Sequence, residues 1–327
     1  MRLKFPNESG IIVVLIVIGV GLSLTSPVFF TISNIFTLLL NTVGIGLMAI
    51  GETFVLLTGG IDLSVGAVLA LSGVITALLL QAHLPWYVGA LVGVLSGSAA
   101  GFFNGIVIRY TRVPPFIATL ACMGVASSIP LIITHANSIP ILTKGFASLG
   151  QGFIFHYIPI PVIIFLLVAL VTHIILWKTV FGVHVYALGG NRESARLSGV
   201  NTSRIEVIVY VISGTLAGLS GVILASRLAS GYPTAGTGNS LFQAISGAVV
   251  GGVSLFGGVG AILGAVVGAM IIGTLSDGMN ILNINSYWQP LVIGLVILIA
   301  VSADTLRSAQ GGRLAGWLLR CRIFRGK

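Results

Sequence analysis

Two carboxylates are the first residues on which chemistry can turn. Glu52, in Gly51-Glu52-Thr53, and Asp62, in Gly59-Gly60-Ile61-Asp62-Leu63-Ser64-Val65-Gly66, stand beside one apolar run. An acidic side chain in such a setting is costly to bury and is a functional suspect by default. Asp62 also reads as a helix N-cap, with its carboxylate accepting backbone N–H groups at the start of the next apolar segment, and this reading is preferred to direct solute contact. Glu52 has no visible capping role. It either borders a solute path or pairs with an arginine across the bundle.

Enzymatic and metal chemistry find little support. The five histidines, His83, His135, His156, His173 and His184, show no metal-ligand spacing. There is no Gly-Lys-Ser or Gly-Lys-Thr, so the glycine-rich stretch Gly231 to Asn239 is not a phosphate-cradling loop of the nucleotide-binding kind. Neither a Gly-x-Ser-x-Gly elbow nor a His-Glu-x-x-His pair occurs. Cys122 and Cys321 are too few and too unlike in setting for a disulfide framework.

A second kind of site is a charged island, Gly189-Gly190-Asn191-Arg192-Glu193-Ser194-Ala195-Arg196-Leu197-Ser198-Gly199-Val200-Asn201, between two long apolar segments. In a chain otherwise nearly free of charge, it marks a place where water or a soluble partner meets the protein. Gly199 is placed to end a short helix. Arg192 and Arg196, four apart, are expected to share one of its faces.

The elements around these residues are membrane helices. The chain is 56% hydrophobic and 7% charged, where soluble domains carry about 25% charged residues. Glycine supplies 44 of 327 residues, which suits helices whose backbones approach closely in lipid. Apolar runs of about 20 residues predict about ten spans, near 11–30, 38–58, 63–80, 86–108, 115–134, 158–177, 205–228, 240–256, 259–281 and 287–303. Gly59-Gly60-Ile61-Asp62 alone separates spans two and three, and Gly257-Gly258 alone separates spans eight and nine, so either pair is two crossings or a broken, re-entrant helix. With both termini cytoplasmic, every one of the 16 lysines and arginines except Lys144 and Arg227 falls on the cytoplasmic side. The net charge of +9 is therefore spread over membrane-flanking segments and does not point to nucleic acid. Phe103-Asn104-Gly105 near the end of span four and Ser276-Asp277-Gly278 near the end of span nine suggest a 5+5 inverted repeat. The expected fold is an all-α polytopic bundle over residues 1–305, with the charged island inside a segment at 178–204. A basic tail at 306–327 is suited to the cytoplasmic lipid surface.

Glu193-Ser194-Ala195-x-x-x-Gly199 is similar to the Glu-Ala-Ala-x-x-x-Gly signature of ATP-binding-cassette importer permeases, with Ser for the first Ala. Thr58 to Gly66, Pro115-Phe116-Ile117-Ala118-Thr119-Leu120, Phe181-Gly182 with Tyr186 to Asn191, and Gly251-Gly252 with Gly257 to Gly260 follow in order. Over about residues 20 to 305 the pattern resembles the ribose-type monosaccharide permeases of bacterial ATP-binding-cassette importers. The resemblance implies a multi-pass inner-membrane subunit that is not itself an enzyme. ATP and Mg would sit on a separate cytoplasmic ATPase, with no cofactor on this chain. It also implies a second permease subunit, identical or not, and an extracytoplasmic sugar-binding protein. Within a coupling segment at 178–204, Asn191, Arg192, Glu193, Ser194, Ala195, Arg196 and Gly199 would then couple to the ATPase, the small residues 194 and 195 permitting close docking. Loops near 135–157 and 229–240 would face the binding protein. Glu52, Asp62, Ser64, Asn239 and Gln243 are candidates for the solute path, lined by broken segments around 52–66 and 236–258. Two departures put the exact sugar in doubt: Ser127-Ser128 stand where the family commonly has Arg-Gly, and Ser240 and Gln243 where it often has acidic residues. The alternative is a proton-coupled secondary transporter, for which only Glu52, Asp62 and Asp277 offer titratable groups within the bilayer.

Overall fold

The computed structural model describes residues 9–155, 157–302 and 304–305. Expectations resting on Arg2, Lys4, His156, Cys321 and the tail 306–327 lie outside the described residues. The apolar runs fold into α1 (Ser9–Thr25), α2 (Ile32–Leu57), α3 (Val65–Gln81), α4 (Trp86–Thr111), α5 (Pro115–Thr134), α6 (Lys144–Gln151) and α7 (Ile160–Lys178). There follow α8 (Val180–Gly190), α9 (Arg192–Leu197), α10 (Thr202–Leu228), α11 (Asn239–Val250) and α12 (Ile262–Ile281), then α13 (Trp288–Ser302). Prolines 85, 114, 115, 159 and 161 sit at helix starts, where a missing N–H costs no helical hydrogen bond. Four two-residue strands complete the inventory of described elements: β1 (Ile139–Pro140), β2 (Phe153–Ile154), β3 (Ile158–Pro159) and β4 (Ser230–Gly231). β1 pairs antiparallel with β4, and β2 with β3.

Among the described residues, six helices are long and apolar enough to cross a membrane: α2, α4, α5, α7, α10 and α12. α1, α3 and α13 are apolar but shorter. The expected eighth span, 240–256, is not one helix. α11 stops at Val250 after 12 residues, about 18 Å at ~1.5 Å per residue, against about 30 Å of hydrocarbon. Gly252, Gly257 and Gly258 take φ of 85°, 86° and 73°, so the chain turns where a helix would have continued.

α10 is the centre of the bundle, packed by α4, α2 and α3. On α4 the buried face carries Gly89, Gly93, Gly97, Gly101 and Gly105, one every fourth residue. This stripe lets α4 lie backbone to backbone on α10. A Cβ at Gly97 would meet the Gly214 carbonyl and stand 2.8 Å from Gly218 Cα. In lipid no hydrophobic force drives helices together, so such close contact carries the association. The outer faces of α1, α4, α5 and α7 expose large apolar side chains, Val17, Leu91, Val125 and Leu166 among them, as surfaces against acyl chains do. Lys178 Nζ lies 3.9 Å from the Trp177 ring centre, and the Arg109 guanidinium 5.1 Å from that of Tyr110. Both pairs occur at the last turns of α7 and α4. Amphipathic rings and snorkelling cations of this kind suit a membrane boundary.

Candidate functional site

The charged island forms a capped helical turn at the start of α10. The Asn191 side chain accepts the Ser194 N–H at 2.8 Å, capping α9. Gly199, at φ 86°, closes it, with Gly199 N–H donating to Arg196 O and Val200 N–H to Ala195 O. This is the paired-bond pattern of a glycine-terminated helix, as the sequence led one to expect of Gly199. Asn201 then caps α10 by accepting the Arg204 N–H at 3.0 Å.

Two expectations for the island are corrected. Arg192 and Arg196 do not serve a common face. Arg192 turns to α10, its Nη1 and Nη2 donating to Glu206 Oε1 and Oε2 at 2.9 and 2.7 Å. Arg196 folds back on Glu193 at 2.7 Å on the exposed side. Each arginine pairs with a different carboxylate, Arg192 with the buried Glu206 of α10 and Arg196 with the exposed Glu193 of its own turn. Nor are residues 194 and 195 both open to a partner: Ser194 is exposed, whereas Ala195 is buried against the protein itself. Hydrogen bonding to Glu206 lifts the Arg192 guanidinium above its ordinary pKa despite partial burial, and bonding to Glu193 does the same for Arg196.

Asp62 is the hub of a second, buried group. Its Oδ1 accepts the Ser64 N–H at 3.0 Å and the Ser64 hydroxyl at 2.6 Å, and its Oδ2 accepts the Ser213 hydroxyl at 2.8 Å. Asn104 Nδ2 donates to Ser64 Oγ at 3.0 Å, and Thr119 Oγ1 to Ile61 O at 3.2 Å. All of these side chains are buried. The capping expectation for Asp62 needs amending. The residue at the cap of α3 is Ser64, and Asp62, two residues earlier, accepts only that residue's own amide. Its remaining bonds, to the Ser64 and Ser213 hydroxyls, tie the start of α3 to α10, and Asn104 adds α4 through Ser64. Glu52, on α2, is fully buried, no side chain among the described residues pairs with its carboxylate, and only the Asp62 backbone N–H lies near it. Among the described residues the expected ion pair with an arginine is not formed.

The remaining candidates make other contacts. Asn239 opens α11, and Gln243, one turn on, reaches Ser276 of α12 at 3.5 Å. Asp277 beside it accepts Asn34 Nδ2 at 2.9 Å. The two broken segments nevertheless adjoin. Gly66 lies against the Gly236 carbonyl, and Gly257 against Gly59 N, where an added Cβ would be 3.1 Å away. The loops around 135–157 and 229–240 are joined by the β1–β4 pairing.

Glu206 escaped the sequence reading. Its signal was available: a carboxylate at the mouth of an apolar run, the same feature that singled out Glu52.

Comparison with known proteins bears on this arrangement. The chain is 41% identical over 308 residues to the ribose import permease protein of Haemophilus influenzae, covering 92% of this chain and 94% of that one. It is 40% identical over 294 residues to the D-allose transport system permease protein of Escherichia coli, covering 90% of each. Against the L-arabinose ABC transporter permease protein of Azospirillum brasilense it is 40% identical, covering 93% of this chain and 89% of the relative. No solved structure matches. Matching residues 34–301 to the family of permease components of branched-chain amino acid transport systems, resembling import permeases along nearly its whole length and carrying six helices long and apolar enough to cross a membrane, the chain belongs to that family as a multi-pass protein of the inner membrane.

Proposed function

We propose that the chain is the membrane-spanning permease subunit of an ATP-driven importer for a monosaccharide, of the ribose, allose, arabinose or xylose class. The observation that carries this reading is the near-full-length likeness, at 40–41% identity, to permeases named for three different sugars. The family's own description mentions branched-chain amino acids, so an amino acid is the substrate class to test against. ATP hydrolysis belongs to a separate ATPase that docks on α9. A second permease subunit completes the path, and an extracytoplasmic sugar-binding protein sits on the β1–β4 end. Ten apolar segments, the eighth broken after Val250, with both termini in the cytoplasm and an inverted repeat, are the topology that goes with this. The proposal also assigns the basic segment 306–327 to the lipid surface. Glu52, Asp62, Ser64, Asn239 and Gln243 remain the candidate path residues. The proton-coupled alternative has no counterpart among the relatives above.

The test is reconstitution in proteoliposomes with the ATPase and the binding protein. Uptake of labelled ribose, allose, arabinose and xylose is expected only with ATP, and leucine is expected to be excluded. Uptake driven by a proton gradient without ATP, or leucine as the accepted solute, would overturn the proposal.

A second measurement bears on α9. The Glu193→Lys, Arg196→Glu double variant keeps an ion pair within the turn, so α9 itself should stay folded. It reverses the charges shown to the ATPase, and like-charge juxtaposition across an interface costs several kcal/mol. Association with the ATPase should weaken by about tenfold or more, the loss that ~1.4 kcal/mol produces. Unaltered co-purification at matched salt would remove the outer face of α9 from the docking surface.

A further inference from the structure

The docking turn is bound to the buried Asp62 group by one stripe of α10. Glu206, Tyr210 and Ser213 follow at i, i+4 and i+7, which places them on one face of the helix. Each makes a different contact. Glu206 is 5% exposed and holds both guanidinium nitrogens of Arg192, the first residue of α9. Tyr210 is fully buried, and its hydroxyl lies under Gly60, where an added Cβ would stand 2.5 Å from it. Ser213 donates to Asp62 Oδ2 at 2.8 Å. From Glu206 to Ser213 the rise is about 10 Å at ~1.5 Å per residue. The docking turn and the centre of the bundle are therefore separated by only two turns of one rigid helix.

A second line of contact runs beside the first. The Leu57 carbonyl, at the end of α2, accepts the Gly258 N–H at 2.9 Å. Gly189 of α8 packs against that same carbonyl. A Cβ on Gly257 would stand 3.0 Å from Gly189 Cα and 3.1 Å from Gly59 N, and one on Gly258 would stand 3.0 Å from Gly190 N. Gly59 and the pairs 189–190 and 257–258 thus meet backbone to backbone. Tyr186 of α8 donates to Gly260 O at 2.7 Å and fastens the same junction. The end of α2, the loop after α11 and the root of α9 lie in direct contact here.

We infer that Glu206 is the positioning residue that transmits movement of the docking helix to the buried Asp62 turn, by clamping Arg192 to α10 beside a three-way glycine junction. This rests on the reading of α9 as the ATPase-docking helix. Glu206 takes no part in docking, because it faces inward. Arg192 remains 58% exposed, so the clamp spans the step from surface to interior. A displacement of α9 without the clamp would be absorbed by the loop Ser198–Asn201. With the clamp it must move α10, and with it Tyr210 and Ser213.

The experiment uses the reconstituted importer with its ATPase and binding protein. The variants are Glu206→Gln, Arg192→Glu, and the swapped pair Arg192→Glu with Glu206→Arg. For Glu206→Gln the ATPase should still co-purify, while solute moved per ATP hydrolysed falls about tenfold, within the usual range of coupling between sites. Arg192→Glu should fail in the same ratio, and the swapped pair should recover most of it. A purely structural role would lower the melting temperature without changing the ratio in the protein that survives. Co-assembly with an unchanged ratio in Glu206→Gln would overturn the inference and leave the importer reading intact. Loss of folded protein in both Glu206→Gln and the swapped pair would overturn it as well, making the pair a folding element. Failure of the unaltered chain to bind any ATPase would overturn the importer reading, and this inference with it.

Discussion

Gly97→Leu is expected to abolish the folded protein, whereas Gly124→Ala leaves it unchanged or slightly more stable. At Gly97 the first added carbon already meets the Gly214 carbonyl and stands 2.8 Å from Gly218 Cα. Those are backbone atoms of α10 and cannot rotate aside. Ordinary overpacking of a core costs about 1–3 kcal/mol, because side chains and backbone shift to absorb it. Here relief requires separating α4 from α10 along the glycine stripe, the most extensive contact of the bundle. That separation would also pull Asn104 from Ser64, since Asn104 lies on the same buried face of α4. Gly124, on α5, has open space where a Cβ would project, with no neighbouring atom within 4 Å. Alanine there meets nothing and gains up to about 1 kcal/mol of helix propensity. Thermal unfolding of the two purified variants in detergent, followed by size-exclusion profile, distinguishes them. Equal melting temperatures would show that the α4–α10 contact does not carry the fold.

What could be read in the sequence follows from which forces act locally. Apolar runs of about 20 residues require no tertiary information, and α2, α4, α5, α7, α10 and α12 lie where those runs predict them. The island at 189–201 was legible for the same reason: charge density, a capping Asn and a terminating Gly are all properties of neighbours in the chain. Span eight failed because hydropathy does not register a turn. Val253, Leu255 and Phe256 continue the apolar count, while Gly252 and Gly257 adopt φ values that end a helix. Partners distant in sequence were not legible. Ser213 lies 151 residues from the Asp62 it serves, and Asn104 lies 40 from Ser64. Asn104 was conspicuous only as one half of a faint repeat, and nothing local distinguishes a serine that binds a carboxylate from one that bonds its own helix, as Ser246 does to Phe242 O. The inward turn of Arg192 was missed for a related reason. Helical spacing fixes which residues share a face in isolation, but a carboxylate on the next helix decides where a long guanidinium goes.

The two buried carboxylates are expected to respond to substitution in opposite directions. Asp62 is satisfied: its oxygens accept the Ser64 amide, the Ser64 hydroxyl and the Ser213 hydroxyl. Asp62→Ala strands three buried donors at once, and each such group costs about 1–3 kcal/mol when left unmet, so a loss of about 3 kcal/mol or more is expected. Glu52 is equally buried, yet no side chain among the described residues pairs with its oxygens, and only the Asp62 backbone N–H lies near them. Glu52→Met keeps a long, unbranched side chain of similar bulk and asks for no hydrogen bond. Relieving the unmet carboxyl should raise stability by about 1–3 kcal/mol. A chain that retains so costly a group within an apolar bundle retains it for what it does, and stability gained at such a position is commonly offset by lost activity. Glu52→Met is therefore expected to melt higher than the unaltered protein and to transport less, while Asp62→Ala melts lower. Two readings decide the matter, the melting temperature of each purified variant and ATP-driven uptake in proteoliposomes. A lowered melting temperature for Glu52→Met would mean that the carboxyl group stabilises the bundle rather than burdening it. A raised melting temperature with undiminished uptake would remove Glu52 from the transport path and leave Asp62, Ser64 and Ser213 as the polar centre on which α3, α4 and α10 turn.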